Sequence, residues 1–267
     1  MKNYFYAILG LIILNSCSTN PYRLSAKSYK KQLKVYQKTI GTTESKPLQN
    51  GSNPQWISTV NFNLRKPNFV IIHHTAQDSL QQTLKTFTLT KTQVSAHYVI
   101  SDDGTVVQML NDYLRAWHGG NASWGKNTDI NSASIGIELD NNGFEPFSEA
   151  QINSLLALLT RLKKDYNIPT ANIIAHSDIA PSRKSDPSTL FPWKNLAELG
   201  FGLWPEDQLE KAPDYFNVEQ ALRIIGYNTQ NLSSAIKAFK LHYIQTEVDD
   251  TLDEKTMNTI YSIFKKQ

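Results

Sequence analysis

The chain contains a single cysteine, Cys17, among 267 residues. One thiol excludes an intramolecular disulfide framework and a cysteine-rich zinc module. Long apolar runs are also missing. The longest, residues 4–14, has eleven residues, short of the about 20 that a membrane-spanning helix needs. Neither sign of charge dominates: 27 Lys+Arg face 24 Asp+Glu, a formal +3, which is too small an excess to argue for nucleic acid. There is no internal repeat and no low-complexity tract. Hydrophobic residues at 40% and charged residues at 19% are enough for a packed core and exclude wholesale disorder. At roughly 100–200 residues per domain, the length suggests one large domain, or one with a small companion.

What is present begins with an address. Lys2 precedes the apolar run, and Asn15, Ser16 and Cys17 follow it. The run suits the core of a signal peptide. Leu14-Asn15-Ser16-Cys17 resembles a bacterial lipobox, in which the cysteine is lipidated and becomes the first mature residue. The plainer alternative is an ordinary signal peptide that happens to contain a cysteine. Stable anchoring takes more than one acyl chain, which a diacylated cysteine supplies. Residues 1–16 are therefore expected to be a signal peptide, and Cys17 the anchor of an envelope lipoprotein. Ser18 after the cysteine is compatible with the outer membrane, facing the periplasm.

Residues 1–46 hold eight Lys+Arg and one acidic residue, leaving 19 against 23 from residue 47 onward. The basic excess thus belongs to the leader and tether, and the remainder is formally −4. Tyr29, Leu33, Tyr36 and Ile40 form one apolar stripe if residues 22–46 are helical. Such a helix either docks on the main domain or lies as a basic tether against a membrane or wall surface. Residues 47–54 (PLQNGSNP) read as a linker, so residues 17–54 form the lipidated tether and linker.

From Phe69 the pattern alternates between α and β. Residues 69–72 read as a buried strand and 80–89 as a helix. Residues 97–100 and 106–110 flank Asp103-Gly104, a two-residue hairpin signal. Residues 135–139 form another strand. Ser148 and Gln151 make a capping box before a helix carrying Ile152, Leu155, Leu156, Leu159 and Leu162 on one face. A short strand, 173–175, ends at His176. Residues 202–213 mark a boundary, beyond which 218–225, 235–244 and 252–264 read as three helices, the last opened by a Thr251/Glu254 capping box. The expected architecture is α/β, a mixed central sheet flanked by helices, with a small C-terminal three-helix domain over 206–267.

Two strands end in histidine, His73/His74 and His176, and open α/β sheets place ligands at the carboxyl ends of their strands. Alternation along the strand lets only one of His73 and His74 reach a given pocket. The polar, proline-rich stretch after His176 can return a carboxylate, Asp186, toward the imidazole. Two histidines and one carboxylate with an open fourth position make a catalytic zinc pattern. The spacing alone does not separate this from histidines that are simply hydrogen-bonded near a turn.

Five blocks in order carry a resemblance: Val70-Ile71-Ile72-His73-His74-Thr75-Ala76, Ser95-Ala96-His97-Tyr98-Val99-Ile100, Ala116-Trp117-His118-Gly119-Gly120, Ile135-Gly136-Ile137-Glu138, and His176-Ser177-Asp178-Ile179-Ala180-Pro181 through Asp186-Pro187. Together, over about residues 68–193, they resemble the zinc-dependent N-acetylmuramoyl-L-alanine amidases of the amidase-2 type, related to peptidoglycan recognition proteins. The resemblance implies a zinc amidase domain over 55–205, with Zn2+ held by His73, His176 and Asp186. It implies catalytic roles for Glu138 and Lys184, and it selects His73 over His74, leaving His74 a structural role on the opposite face.

The reaction it implies is hydrolysis of the amide between N-acetylmuramic acid and L-alanine in peptidoglycan or muropeptides. Metal-activated water attacks, Glu138 moves the proton and Lys184 stabilises the oxyanion. The competing reading is a non-catalytic peptidoglycan-binding lipoprotein; such relatives commonly lack a metal ligand. The helical tail resembles, by position and helix count, peptidoglycan-binding modules, with a packing domain as the alternative. The expected partners are peptidoglycan and a membrane through Cys17, with no nucleic acid and a monomeric chain. Among the other candidates, His97 is expected to be structural, His118 to be either structural or part of the substrate groove, Asp178 to order its loop, and His242 to sit on a solvated face.

Overall fold

The computed structural model describes residues 20–41, 64 and 66–267. The signal peptide, Cys17 and the 47–54 linker lie outside them. The described elements, in chain order, are α1 (Arg23–Ile40), β1 (Phe69–His74), α2 (Leu80–Thr88), β2 (Tyr98–Ile100), β3 (Val106–Gln108), α3 (Ile130–Ala133), β4 (Ser134–Leu139), α4 (Glu149–Tyr166), β5 (Ile173–Ala175), α5 (His176–Ile179), α6 (Trp193–Glu198), α7 (Val218–Ile225), α8 (Leu232–Tyr243) and α9 (Glu254–Phe264). Residues 1–60 and 61–267 are two separate units. In the first, the basic segment with its apolar stripe is the 18-residue helix α1, none of whose residues is buried.

In the second unit the five strands form one sheet in the order β3-β2-β4-β1-β5. β1 runs parallel to both β4 and β5, β2 parallel to β4, and β3 antiparallel to β2. This is the expected mixed sheet. The Ile/Val-rich sequences of β1, β4 and β5 are those of strands covered on both faces. On one face Val70, Ile72, Ile135, Ile137 and Leu139 meet Leu155, Leu159 and Leu162 of α4. On the other, Ile71 and Ile174 share a core with Ile130, Ile179, and Leu222, Ile236, Phe239 and Ile260 of α7–α9. Each fully buried Leu, Ile or Phe stabilises by roughly 1.5–3 kcal/mol, so the C-terminal helices are energetically part of this core.

Several local details depart from expectation. The β2–β3 hairpin forms, but Ser101 N–H bonds to Thr105 O at 2.9 Å, leaving a three-residue loop. Only Gly104 takes a positive φ there, +84°, whereas a two-residue type I′ turn needs it at both central positions. Ser148 does cap α4, its Oγ accepting from Gln151 N–H at 3.1 Å. The Gln151 side chain does not complete the box; it donates to Ile100 O and Asp140 O. Leu156 is only partly buried, and Leu158 fills the inward position instead. α9 is capped by Asp253, which accepts from Thr256 N–H at 2.6 Å, rather than by Thr251.

His242 corrects a larger expectation. It is 1% exposed, not solvated. Its Nδ1 meets Asp178 Oδ2 at 2.6 Å, and its ring stacks between Trp193 and Tyr243, both at 3.9 Å. From Ala235 onward α8 is enclosed except at Lys237, with Ala235, Ile236, Ala238, Phe239, Lys240, Leu241, His242 and Tyr243 all buried, and so has little solvent face to offer.

Candidate metal centre

The register of the sheet assembles the site. His73 on β1 stands opposite Glu138 on β4 in the parallel pairing. β5 pairs with the other side of β1 and delivers His176 as the first residue of α5. Asp178 fixes that helix start, its Oδ2 accepting from Ala175 N–H at 2.8 Å, as expected of a loop-ordering residue. The following loop folds back so that Ser177 N–H bonds to Asp186 O at 2.9 Å, returning the Asp186 carboxylate to His176. Two strands, the start of α5 and the returning loop thus bring together residues 73, 138, 176 and 186.

The donor atoms converge. His73 Nδ1 and His176 Nδ1 are 2.8 Å apart, with Asp186 Oδ2 3.0 Å from the latter and 3.3 Å from the former. All three residues are buried, and among the described residues they are the group able to hold a metal ion. Tetrahedral bonds of about 2.0–2.2 Å place neighbouring donors about 3.3–3.6 Å apart, and these three, 2.8–3.3 Å from one another, are close enough to share a small divalent cation. The chemistry of the set agrees. His176 Nε2 faces the Gly119 carbonyl at 3.3 Å. That nitrogen carries the proton in a neutral ring, leaving a lone pair on Nδ1 opposite a carboxylate oxygen. Two electron pairs held that close call for a cation between them.

Electrostatics point the same way. Burial, and then the neighbouring His176, lower the His73 pKa to about 4, so the ring is neutral at physiological pH. Burial alone would raise the Asp186 carboxyl pKa, but the two imidazoles beside it, His176 first and then His73, outweigh burial and lower it. Glu138 is pushed up to about 8, by burial first and then by the charge of Asp186, with Lys184 acting in the opposite sense. Glu138 Oε1 lies 3.9 Å from His73 Nδ1.

These groups open into a cavity of about 470 Å³. Its wall includes Glu138, Lys184, Asp186, Thr86, Phe87 and Val94, and Lys184 is exposed at its edge. His74 was expected to face away, yet it also lines this cavity. β1 ends there, and the returning loop crosses it, with Ser188 N–H donating to His74 Nδ1 at 3.3 Å. His118, a candidate for the groove, is 7% exposed and lies behind His73 instead, its Nδ1 3.0 Å from His73 Nε2. His97 is structural, as expected: Nδ1 accepts from Gly136 N–H at 3.0 Å and Nε2 donates to Leu114 O at 2.9 Å.

Residues 63–189 match the Amidase_2 family, described as N-acetylmuramoyl-L-alanine amidase. Across the wider chain, 229 residues are 33% identical to the N-acetylmuramoyl-L-alanine amidase AmiD of Escherichia coli K12, covering 74% of this chain and 82% of AmiD. The chain belongs to the N-acetylmuramoyl-L-alanine amidase family. Within this family a second relative is the 1,6-anhydro-N-acetylmuramyl-L-alanine amidase AmpD of Haemophilus influenzae, 39% identical over 103 residues, or 38% of this chain and 56% of AmpD. Among solved amidase structures, E. coli AmiD in complex with its substrate anhydro-N-acetylmuramic acid-L-Ala-D-γ-Glu-L-Lys superimposes with a TM-score of 0.69 at 29% identity. That match covers 82% of this chain and 97% of AmiD. AmpDh3 of Pseudomonas aeruginosa also gives 0.69, at 28% identity over 79% and 96% of the two chains. Both the expected family and the expected amidase fold are borne out.

Proposed function

We propose that this protein is a zinc hydrolase that cleaves the amide between N-acetylmuramic acid and L-alanine in peptidoglycan or its muropeptide fragments. The observation that carries the reading is the convergence of His73 Nδ1, His176 Nδ1 and Asp186 Oδ2 within 3.3 Å, beside Glu138 in an open cavity. Two imidazoles and one carboxylate with room for a further ligand suit zinc among the common metals. The muropeptide bound to AmiD, named there as its substrate, gives the substrate class.

His73, His176 and Asp186 would hold the zinc, which would supply Lewis acidity to polarise the amide carbonyl and activate a water. Glu138 takes the proton of the attacking water and passes it to the departing alanine amine. A cation held beside it would favour its ionised form over the one that burial favours, so the group can act first as base and then as acid. Lys184, at the cavity edge, offers a positive charge to the oxyanion that develops on the carbonyl.

The reading extends along the chain. Residues 1–16 direct export, lipidated Cys17 anchors the protein in the envelope at the periplasmic face of the outer membrane, and residues 17–54 act as tether. Residues 55–205 are the catalytic domain of a monomer. Residues 206–267 close the second face of the sheet and add wall contacts.

Digestion of purified sacculi, with and without a chelator, tests the activity, with products identified by mass. Stem peptides released only when metal is present are the expected result. Glycan cleavage, or binding without product, sinks the reading and favours a recognition protein. Fractionation of a Cys17→Ala variant tests the anchor, which predicts release from the membrane fraction.

A further inference from the structure

The metal ligands are backed by one loop. Residues 116–121 pass behind both histidines, pinned by Asn131, whose Oδ1 accepts from the amides of His118 (3.1 Å) and Gly119 (2.8 Å). The Gly119 carbonyl faces His176 Nε2 at 3.3 Å, and the His118 ring faces His73 Nε2 at 3.0 Å. The ring has room because residue 136 is glycine: a Cβ there would lie 2.4 Å from His118 Cγ.

Following the protons through this contact gives a direction. The Ser134 hydroxyl has one hydrogen and two neighbours, the Ile130 carbonyl at 2.7 Å and His118 Nε2 at 3.0 Å. The carbonyl can only accept, so the hydroxyl donates to it and accepts from His118 Nε2–H. A neutral His118 protonated on Nε2 has its lone pair on Nδ1. It therefore accepts from His73 Nε2–H, and His73 is left with its lone pair on Nδ1, among the metal-binding atoms. The reverse assignment sets two oxygens 2.7 Å apart with no hydrogen between them.

We propose that His118 is a positioning residue for the metal centre: with Ser134 and the Ile130 carbonyl it forms a one-way hydrogen-bond relay that locks His73 in its metal-binding tautomer. The Gly119 carbonyl does the same for His176, so a single loop sets both rings. The proposal rests on the zinc reading, and it predicts that support behind the ligand tunes affinity; loss of such partners typically weakens metal binding about 10–100-fold.

The test uses the full chain and zinc ion alone, with affinity read by competition against a chromophoric chelator. His118→Phe keeps a ring but removes the acceptor, and it is expected to weaken zinc binding by about 10–100-fold. His118→Asn places an amide oxygen near the lost Nδ1 and is expected to recover most of that loss, while Ser134→Ala falls between. Long-range proton–nitrogen NMR of the metal-free protein reads the tautomer directly. His73 protonated on Nε2 in the wild type, and a mixture of tautomers in Ser134→Ala, is the expected signature. Wild-type zinc affinity in a folded His118→Phe protein, or His73 protonated on Nδ1 in the wild type, overturns the proposal. If His118→Phe does not fold, Ser134→Ala decides: unchanged affinity and tautomer overturn the relay. Failure of the wild type to bind zinc would instead sink the metal reading, and the NMR measurement would still decide the relay.

Discussion

The His242 imidazole of α8 meets the Asp178 carboxylate at 2.6 Å, two residues beyond the candidate ligand His176. Asp178 also accepts from Ala175 N–H and from the Tyr227 hydroxyl. The C-terminal helices are therefore joined through a buried polar node to the segment that carries the candidate ligand His176. His242→Ala leaves a fully buried carboxylate one partner short, and the expected cost is about 3 kcal/mol or more. Urea unfolding of the metal-free protein measures it. Loss below 1 kcal/mol would mean that the node does not hold the helices.

Glu138 and Asp186 are separable by what each variant keeps. Glu138→Gln should retain zinc while turnover falls about 10²–10⁴-fold, the usual contribution of a general base. Asp186→Asn keeps the shape but removes the charge, and should lose both metal and activity. Metal content by atomic emission, beside peptide release from sacculi, distinguishes the two. Equal zinc content in both variants would remove Asp186 from the ligand set.

Acidity gives a sign-specific expectation for the metal-free protein. The Glu138 pKa is raised from 4.5 to about 8 on folding, so between those values the folded state holds a proton that the unfolded state has lost. Its contribution to stability is present at low pH and fades as pH rises through that window. His73, lowered from 6.5 to about 4, acts with the opposite sign between pH 4 and 6.5, because there the unfolded state binds the extra proton. Comparing wild type with Glu138→Gln isolates the glutamate. The variant should gain on the wild type from pH 5 to 8, by on the order of 3 kcal/mol. Denaturant titrations at several pH values check this, and a constant difference would refute it.

Gly136→Ala probes the slot that holds the His118 ring. Its Cβ would sit 2.4 Å from Cγ and 2.6 Å from Cδ2 of that ring, which Ser134 and His73 hold from two sides. Overpacking of this kind costs about 1–3 kcal/mol. A lower melting temperature together with weaker zinc binding is expected. A change in neither would mean the ring moves freely.

The sheet was legible because its central strands are rich in Ile and Val and its long helix has a clear apolar face. Turn and cap details were less so. Asp103-Gly104 marks a hairpin but does not count its loop residues, and Asp253 competes with Thr251 for the same cap. The candidate ligands needed the family resemblance, since residues 73, 176 and 186 share no local spacing and meet only through the β1–β5 pairing and the loop that returns Asp186. His242 was misplaced, and His118 left undecided, for one reason. Both carry a polar side chain in segments that look exposed, and their burial depends on partners far away in sequence, His73 and Ser134 for one and Asp178 for the other. Periodicity cannot see such partners.

Arg183 adds a mechanical consequence. Its guanidinium donates to Gly119 O at 2.7 Å and to Asn121 O at 3.0 Å, while Gly120, at φ +62°, lets the backbone lie against it. Arg183 belongs to the segment that carries Lys184 and Asp186, and Gly119 to the segment that steadies the histidines. The two are latched into one flap. A nick, an insertion or a loosening in either segment is transmitted to the other, so the centre is assembled or lost as a unit.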